Sequence, residues 1–123
     1  MTHSVSVIIP TYNRVRTLPR ALDSVLAQTR AVDEIIVVDD GSTDSTVDLL
    51  LANYPQVKLL QQPNLGVSAA RNHGIREASS DWIALLDSDD RWLPTKLEDA
   101  VLAPRPTIAS QSKITASNGS GRP

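Results

Sequence analysis

Cysteine is absent from this 123-residue chain, and so is phenylalanine. The first absence excludes a disulfide framework and any thiolate metal site. The second, beside only two tryptophans and two tyrosines, requires a core of aliphatic side chains. Two histidines, His3 and His73, are too few for a multi-histidine zinc site. A large charge of either sign is missing as well. The formal net charge of −2 leaves no basic footprint for a polyanion, so no nucleic-acid partner is expected. No run approaches the roughly 20 apolar residues that cross a bilayer, so no transmembrane segment is expected. The opening residues show no basic stretch leading into a long apolar one, so no signal peptide is expected. The cytoplasm is the expected location, with a peripheral seat on the inner face of the membrane as its variant. The length suits one domain with a modest core.

What is present is an alternation of strand and helix patterns. "SVSVIIP" (Ser4 to Pro10) alternates, then runs apolar and stops at a proline, as a strand does. Leu18, Ala21, Leu22, Val25 and Leu26 recur with helical spacing, and Pro19 sits where a first-turn proline costs nothing. "EIIVVDD" is a second, fully apolar strand with an acidic end. Ser42 or Thr43 is the expected cap of a second helix, with Asp44 at its positive end and Val47, Leu50, Leu51 and Tyr54 as its buried stripe. "QVKLLQQ" reads as a weaker third strand, Val67 to Ala78 as a third helix and "DWIALLD" as a fourth strand. Pro94 opens a further helix through Leu97 and Val101. Continuous apolar strands alternating with helices predict an α/β fold. The sheet is doubly wound and mainly parallel, in strand order 3-2-1-4, with helices on both faces. Residues 1–103 form the predicted domain. Residues 104–123 are rich in Ser, Thr, Pro and Gly without any acidic residue, and are expected to be a disordered tail.

A parallel sheet brings the carboxyl ends of its strands to one edge, where ligands bind at the reversal of strand order. "PTYNR", Asp39 with Asp40, and Asp87, Asp89 and Asp90 are therefore expected around one crevice. Two unit charges 4 Å apart repel by about 4 kcal/mol at an effective dielectric of 20. Such a cluster calls for a cation, protons or arginines. With no His or Cys nearby, a hard ion such as Mg²⁺ or Mn²⁺ fits best, its shell completed by waters and phosphate oxygens. The alternative is that these aspartates only cap helices and end strands. Asp87 and Asp89, spaced i and i+2, leave a strand on one side and can share a partner.

Arg71 falls inside the apolar stripe formed by Ala70, Gly74, Ile75 and Ala78 when positions are counted at roughly 100° per residue. A buried arginine needs an anionic partner, and this helix starts at the ligand edge. Arg71 can thus reach the aspartates or a phosphate; otherwise it extends outward to water. His73 and Asn72 lie off the stripe, and His73 is expected at the surface. Neither a G-x-G-x-x-G fingerprint nor a P-loop occurs.

"SVIIPTYNR", "IIVVDDGSTD", "NLGVSAARNHGI" and "ALLDSDDRWLP", in this order and spacing, resemble the nucleotide-sugar half of an inverting family 2 glycosyltransferase of the GT-A fold. The resemblance covers Ser4 to about Leu102. It implies that Pro10, Thr11 and Tyr12 line the nucleoside pocket, with Tyr12 against the base. It implies that Asp40 bonds the pyrimidine edge, with Asp39 beside it. By the same match Asp87 faces the ribose, and Asp89, with Asp87, binds the Mn²⁺ or Mg²⁺ that bridges the diphosphate. Arg71 matches a position near the nucleotide, and Asn72 assists it. The implied reaction is transfer of a sugar from a nucleoside diphosphate donor, a UDP-sugar first, to an acceptor hydroxyl with inversion. The family's general base lies well downstream of the D-x-D element. After Arg91 only Glu98 and Asp99 are acidic, so no base is identified, and a truncated member that binds donor without efficient transfer is expected. A non-catalytic nucleotide-binding module completed by a partner chain is the alternative. An uncovered sheet edge would favour a homodimer or such a partner. A receiver-type domain wants an acidic pair after the first strand. A D-x-D phosphatase wants its motif on that strand, and a nucleotidyltransferase wants an early glycine-rich loop. "PTYNRVR" supplies none of these.

Overall fold

The computed structural model describes residues 4–99 and 103–104. Strands β1 (Val5–Thr11), β2 (Glu34–Asp39), β3 (Lys58–Gln61) and β4 (Trp82–Leu85) alternate with helices α1 (Leu18–Leu26), α2 (Thr46–Asn53) and α3 (Val67–Glu77). A short helix α4 (Lys96–Asp99) and a two-residue strand β5 (Ala103–Pro104) follow. The sheet order is β3-β2-β1-β4-β5. The first four strands are mutually parallel, so the doubly wound 3-2-1-4 arrangement expected from the apolar runs is the one formed. β5 runs antiparallel to β4, with Ala103 opposite Ile83 and Pro104 opposite Trp82. The expected tail begins at Pro104, but this residue sits on the edge strand, where a residue without an N–H is tolerated. Residues 105–123 and Val101 lie outside the described residues.

Alternation along each strand divides the core in two. Val5, Val7, Ile9, Ile35, Val37 and Ala84 pack with Leu18, Leu22, Val25, Leu50 and Leu97 of α1, α2 and α4. The intervening Ile8, Ile36, Val38 and Ile83 meet Ala70, Ile75 and Ala78 on the α3 side. With both faces covered, the strands need no polar side, and this is why they read as unbroken Val/Ile runs. Leu26 and Leu51, both placed in buried stripes, are 45% and 67% exposed. Each follows a buried residue, Val25 or Leu50, and the further turn of about 100° carries it beyond the arc that the sheet covers.

The α2 cap also differs from expectation. Ser45 occupies the N-cap, and the Asp44 carboxylate accepts from the Thr46 N–H at 2.9 Å and from the Thr46 hydroxyl. Ser42 and Thr43 are engaged elsewhere, bonded to Asn13 of the loop after β1. Among the described residues no helix is long and apolar enough to cross a membrane.

Gly74 sets how closely α3 approaches the sheet. A Cβ at this position would lie 2.5 Å from Ile8 Cγ2 and 3.1 Å from Val38 Cγ2, both core side chains. Alanine is the better helix former by about 1 kcal/mol, but overpacking in a filled core costs roughly 1–3 kcal/mol. Gly74→Ala is therefore expected to lower the urea midpoint. A midpoint equal to or above the parent's would mean that α3 can lift away without penalty.

Candidate functional site

β1, β2 and β4 end on the same edge, and the strand order reverses between β1 and β4. A crevice of about 550 Å³ opens there. Pro10, Thr11, Tyr12 and Arg14 contribute from the end of β1 and its loop, and Asp40 from the end of β2. Asn64, Gly66, Val67, Ala70 and Arg71 form the α3 side, and Asp87, Ser88 and Asp89 follow β4.

The loop after β1 is held rather than loose. Asn13 adopts a positive φ of 52°, a conformation asparagine tolerates better than most residues. Its Oδ1 accepts from the N–H groups of Thr43 (2.7 Å) and Asp44 (3.2 Å), and its own N–H donates to Ser42 Oγ at 2.8 Å. These bonds fix the chain directly after Thr11, which is buried, and Tyr12, which is 42% exposed at the rim.

Asp40 is buried, and both carboxylate oxygens are occupied. Oδ1 accepts from Gln62 Nε2 (2.8 Å) and the Leu65 N–H (2.7 Å), and Oδ2 from the Gly66 N–H (3.0 Å) and Asn64 Nδ2 (3.1 Å). Two bonds to each oxygen fill a carboxylate's acceptor capacity. Asp40 thereby anchors the loop that leads into α3. Burial alone would push its carboxyl up, but the bonds from Gln62, Leu65 and Gly66 outweigh burial and hold it below the usual carboxylate range. His73, expected at the surface, is half-buried and extends this network, with Nδ1 3.0 Å from Gln62 Oε1. Gly41 belongs to the same corner: its φ is +80°, and a Cβ there would meet the Asn64 backbone nitrogen at 2.9 Å.

Across the crevice, Asp87, Asp89 and Asp90 each offer a carboxylate oxygen, all within 4.8 Å of one another. Arg71 Nη2 donates to Asp87 Oδ1 at 2.9 Å. The arginine inside the apolar stripe thus takes an aspartate partner rather than extending into water. Like charges this close repel by roughly 3–4 kcal/mol per pair at an effective dielectric of 20, so a cation between them is favoured. An all-oxygen, partly exposed donor set fits a hard divalent ion that keeps waters or takes phosphate oxygens.

Seven of the residues named from sequence therefore line one cavity: Pro10, Thr11, Tyr12, Asp40, Arg71, Asp87 and Asp89. Asp39 lies beneath it, 2% exposed, with Oδ2 accepting the Ser42 N–H at 3.0 Å. Asn72 is exposed and absent from the lining, since one step along α3 turns it about 100° away from Arg71. Arg14, Asn64 and Ser88 line the crevice without having been singled out. "PTYNR" already carried Arg14 to this edge, whereas nothing local marks Asn64, whose partner Asp40 is 24 residues away.

A family model described as glycosyl transferase family 2 matches residues 6–104. Among curated proteins, the Escherichia coli glycosyltransferase YibD is 43% identical over 100 residues, 79% of this chain and 29% of YibD. Among solved structures, S. aureus TarS 1-349 aligns with a TM-score of 0.71 at 30% identity, over 78% of this chain and 30% of that one. TarS 1-349 has also been solved with UDP-GlcNAc. The mannosyltransferase PcManGT of Pyrobaculum calidifontis, in complex with GDP-Man and Mn²⁺, aligns at 0.67 and 29% identity, over 79% of this chain and 31% of its own. The chain thus spans less than a third of the length of these relatives.

The Asp40 network has a pH signature. An unfolded aspartate titrates near about 3.9, and the folded carboxyl titrates lower. As pH falls below about 4 the unfolded chain binds more protons than the native one, so stability declines until the folded pKa is passed. Asp40→Asn is expected to flatten this acid limb. At neutral pH it should cost about 1–3 kcal/mol, because an amide cannot accept from every donor around it. Urea titrations from pH 7 to 2.5 measure both, and a variant limb parallel to the parent's would place the acid sensitivity elsewhere.

Proposed function

Because the chain belongs to glycosyl transferase family 2, we propose that the crevice binds the nucleoside diphosphate of an activated sugar, UDP-linked first. The residues matched by the family model, with β5 at their end, act as the donor-binding unit of an inverting transferase. The observation that carries this reading is the convergence of Asp87 and Asp89 with Arg71, Asp40 and the Pro10–Tyr12 segment around one cavity, with the Asp90 carboxylate clustered beside the two aspartates. The relatives solved with UDP-GlcNAc and with GDP-Man and Mn²⁺ support it.

In this reading Tyr12, at the rim, covers the base, and Pro10 and Thr11 form the floor of the nucleoside end. Asp40 keeps the Asn64–Gly66 wall in place and accepts the pyrimidine imide N–H by releasing its longest bond, that from Asn64 at 3.1 Å. Asp39 acts from below, by holding the Ser42 N–H. Asp89 and Asp87 hold Mn²⁺ or Mg²⁺, which when bound supplies positive charge to the leaving diphosphate. Arg71 keeps the Asp87 carboxylate directed into the crevice through its 2.9 Å contact. Asn72 has no part in this arrangement, and no described residue is assigned as the base that deprotonates the acceptor.

Calorimetric titration with UDP, in the presence and absence of Mn²⁺, tests the proposal. Saturable binding is expected only with the metal, with UDP preferred over GDP. Asp89→Asn should weaken it by roughly tenfold or more through loss of a charged oxygen ligand. Equal binding with and without metal, or none by a folded sample, would overturn the reading. Repeating the titration with Mg²⁺ decides between the two ions.

A further inference from the structure

His73 belongs to the "NLGVSAARNHGI" stretch, yet the donor reading leaves it without a task. It sits about two turns into α3, half-buried, and its Nδ1 lies 3.0 Å from Gln62 Oε1. Gln62 directly follows β3 and is held there by its own N–H, which donates to the Asp39 carbonyl at 3.0 Å. Its side-chain Nε2 donates to Asp40 Oδ1 at 2.8 Å. A line of contacts thus runs from α3, through the end of β3, to the carboxylate at the end of β2.

The chemistry of the three groups fixes every proton in this line. An ionised carboxylate only accepts, so the Gln62 NH₂ faces Asp40 and its carbonyl faces the imidazole. A carbonyl only accepts as well, so Nδ1 of His73 carries a proton, and the bond it makes sets the tautomer of the ring. Turned over, the amide would set its carbonyl oxygen against the carboxylate. Asp40 would then have to gain a proton, and would present an O–H where it now presents a lone pair. Burial works against the charge of Asp40, and the Gln62 bond comes first among those that outweigh it. Oδ1 also accepts the Leu65 N–H at 2.7 Å, so this oxygen is pinned from two sides while Oδ2 holds the longer bond from Asn64.

We propose that His73 is a positioning residue for nucleobase selection. Its Nδ1–H locks the Gln62 amide, and the locked amide keeps Asp40 an acceptor, which distinguishes a base with an imide N–H from one with a lone pair in its place. The lock stands on the geometry of the three side chains. Its effect on selection rests on the role given to Asp40 in the donor reading. Uracil carries that N–H and cytosine does not, whereas UDP and CDP share the ribose, the diphosphate and the metal.

Two measurements on the whole chain test the proposal. Long-range ¹H–¹⁵N correlation of the neutral imidazoles, assigned with His3→Gln, reads the tautomer without any nucleotide. A proton on Nδ1 of His73 is expected, and a proton on Nε2 alone would overturn the lock. Calorimetric titration with UDP and with CDP, each with Mn²⁺, reads the selection, and the parent is expected to prefer UDP. His73→Leu removes the donor and should lower the UDP-to-CDP affinity ratio by about tenfold, chiefly through UDP. His73→Asn keeps an N–H near the place of Nδ1 and should restore the ratio. Gln62→Leu should lower the ratio alike, and His73→Leu added to it should change the ratio no further. A parent without preference, a ratio that His73→Leu leaves unchanged, or one that His73→Asn fails to restore would overturn the proposal. Equal losses for both nucleotides would do so too, since they mark a residue that only packs. Failure of the donor reading looks different: the folded parent then binds neither nucleotide, and the selective role falls with it.

Discussion

The close seat of α3 on the sheet is the constraint on which the crevice depends. Gly74 faces Ile8 and Val38 with no side chain between, so the helix lies near enough for Arg71 to meet Asp87 across the strand ends. The same approach brings the start of α3 to Asp40, whose carboxylate gathers the N–H groups of Leu65 and Gly66. One wall of the cavity is therefore fixed by an aliphatic contact at its middle and by charge-assisted bonds at its top. A larger residue at position 74 would disturb both ends together.

Much of this architecture was legible in the sequence because it follows from periodicity. Val/Ile runs with acidic ends, separated by helical stripes, lead to a parallel sheet, and a parallel sheet leads to one ligand edge. Arg71 was legible for the opposite reason: it breaks an apolar stripe, and a charge in that position needs a partner. What was not legible is long in range or late in a helix. The saturation of Asp40 arises from donors 22 to 26 residues away, which no local pattern encodes. Leu26 and Leu51 fit their stripes by spacing, yet lie past the arc that the sheet covers. Ser42 and Thr43 have good capping chemistry, but Asn13 takes both, and Ser45 and Asp44 open the helix instead.

Two cavities flank the turn that carries Asp89, one at the strand ends and one beside α1, and their linings differ in charge. Carboxylates dominate one and guanidinia the other, and the turn that holds Asp89 stands between them, its carbonyl grasped by Arg20. A net charge near zero for the chain conceals this local separation. Composition alone reads as electrically bland, whereas the fold gathers aspartates at Asp87, Asp89 and Asp90 and arginines at Arg16, Arg20 and Arg91.

Asn13 has a mechanical consequence. By bonding Ser42, Thr43 and Asp44 at once, it welds the turns that follow the two central strands into a single stiff bracket. A ligand that enters the crevice then meets a wall already set in place on this side, so little freedom of that loop remains to be lost on association.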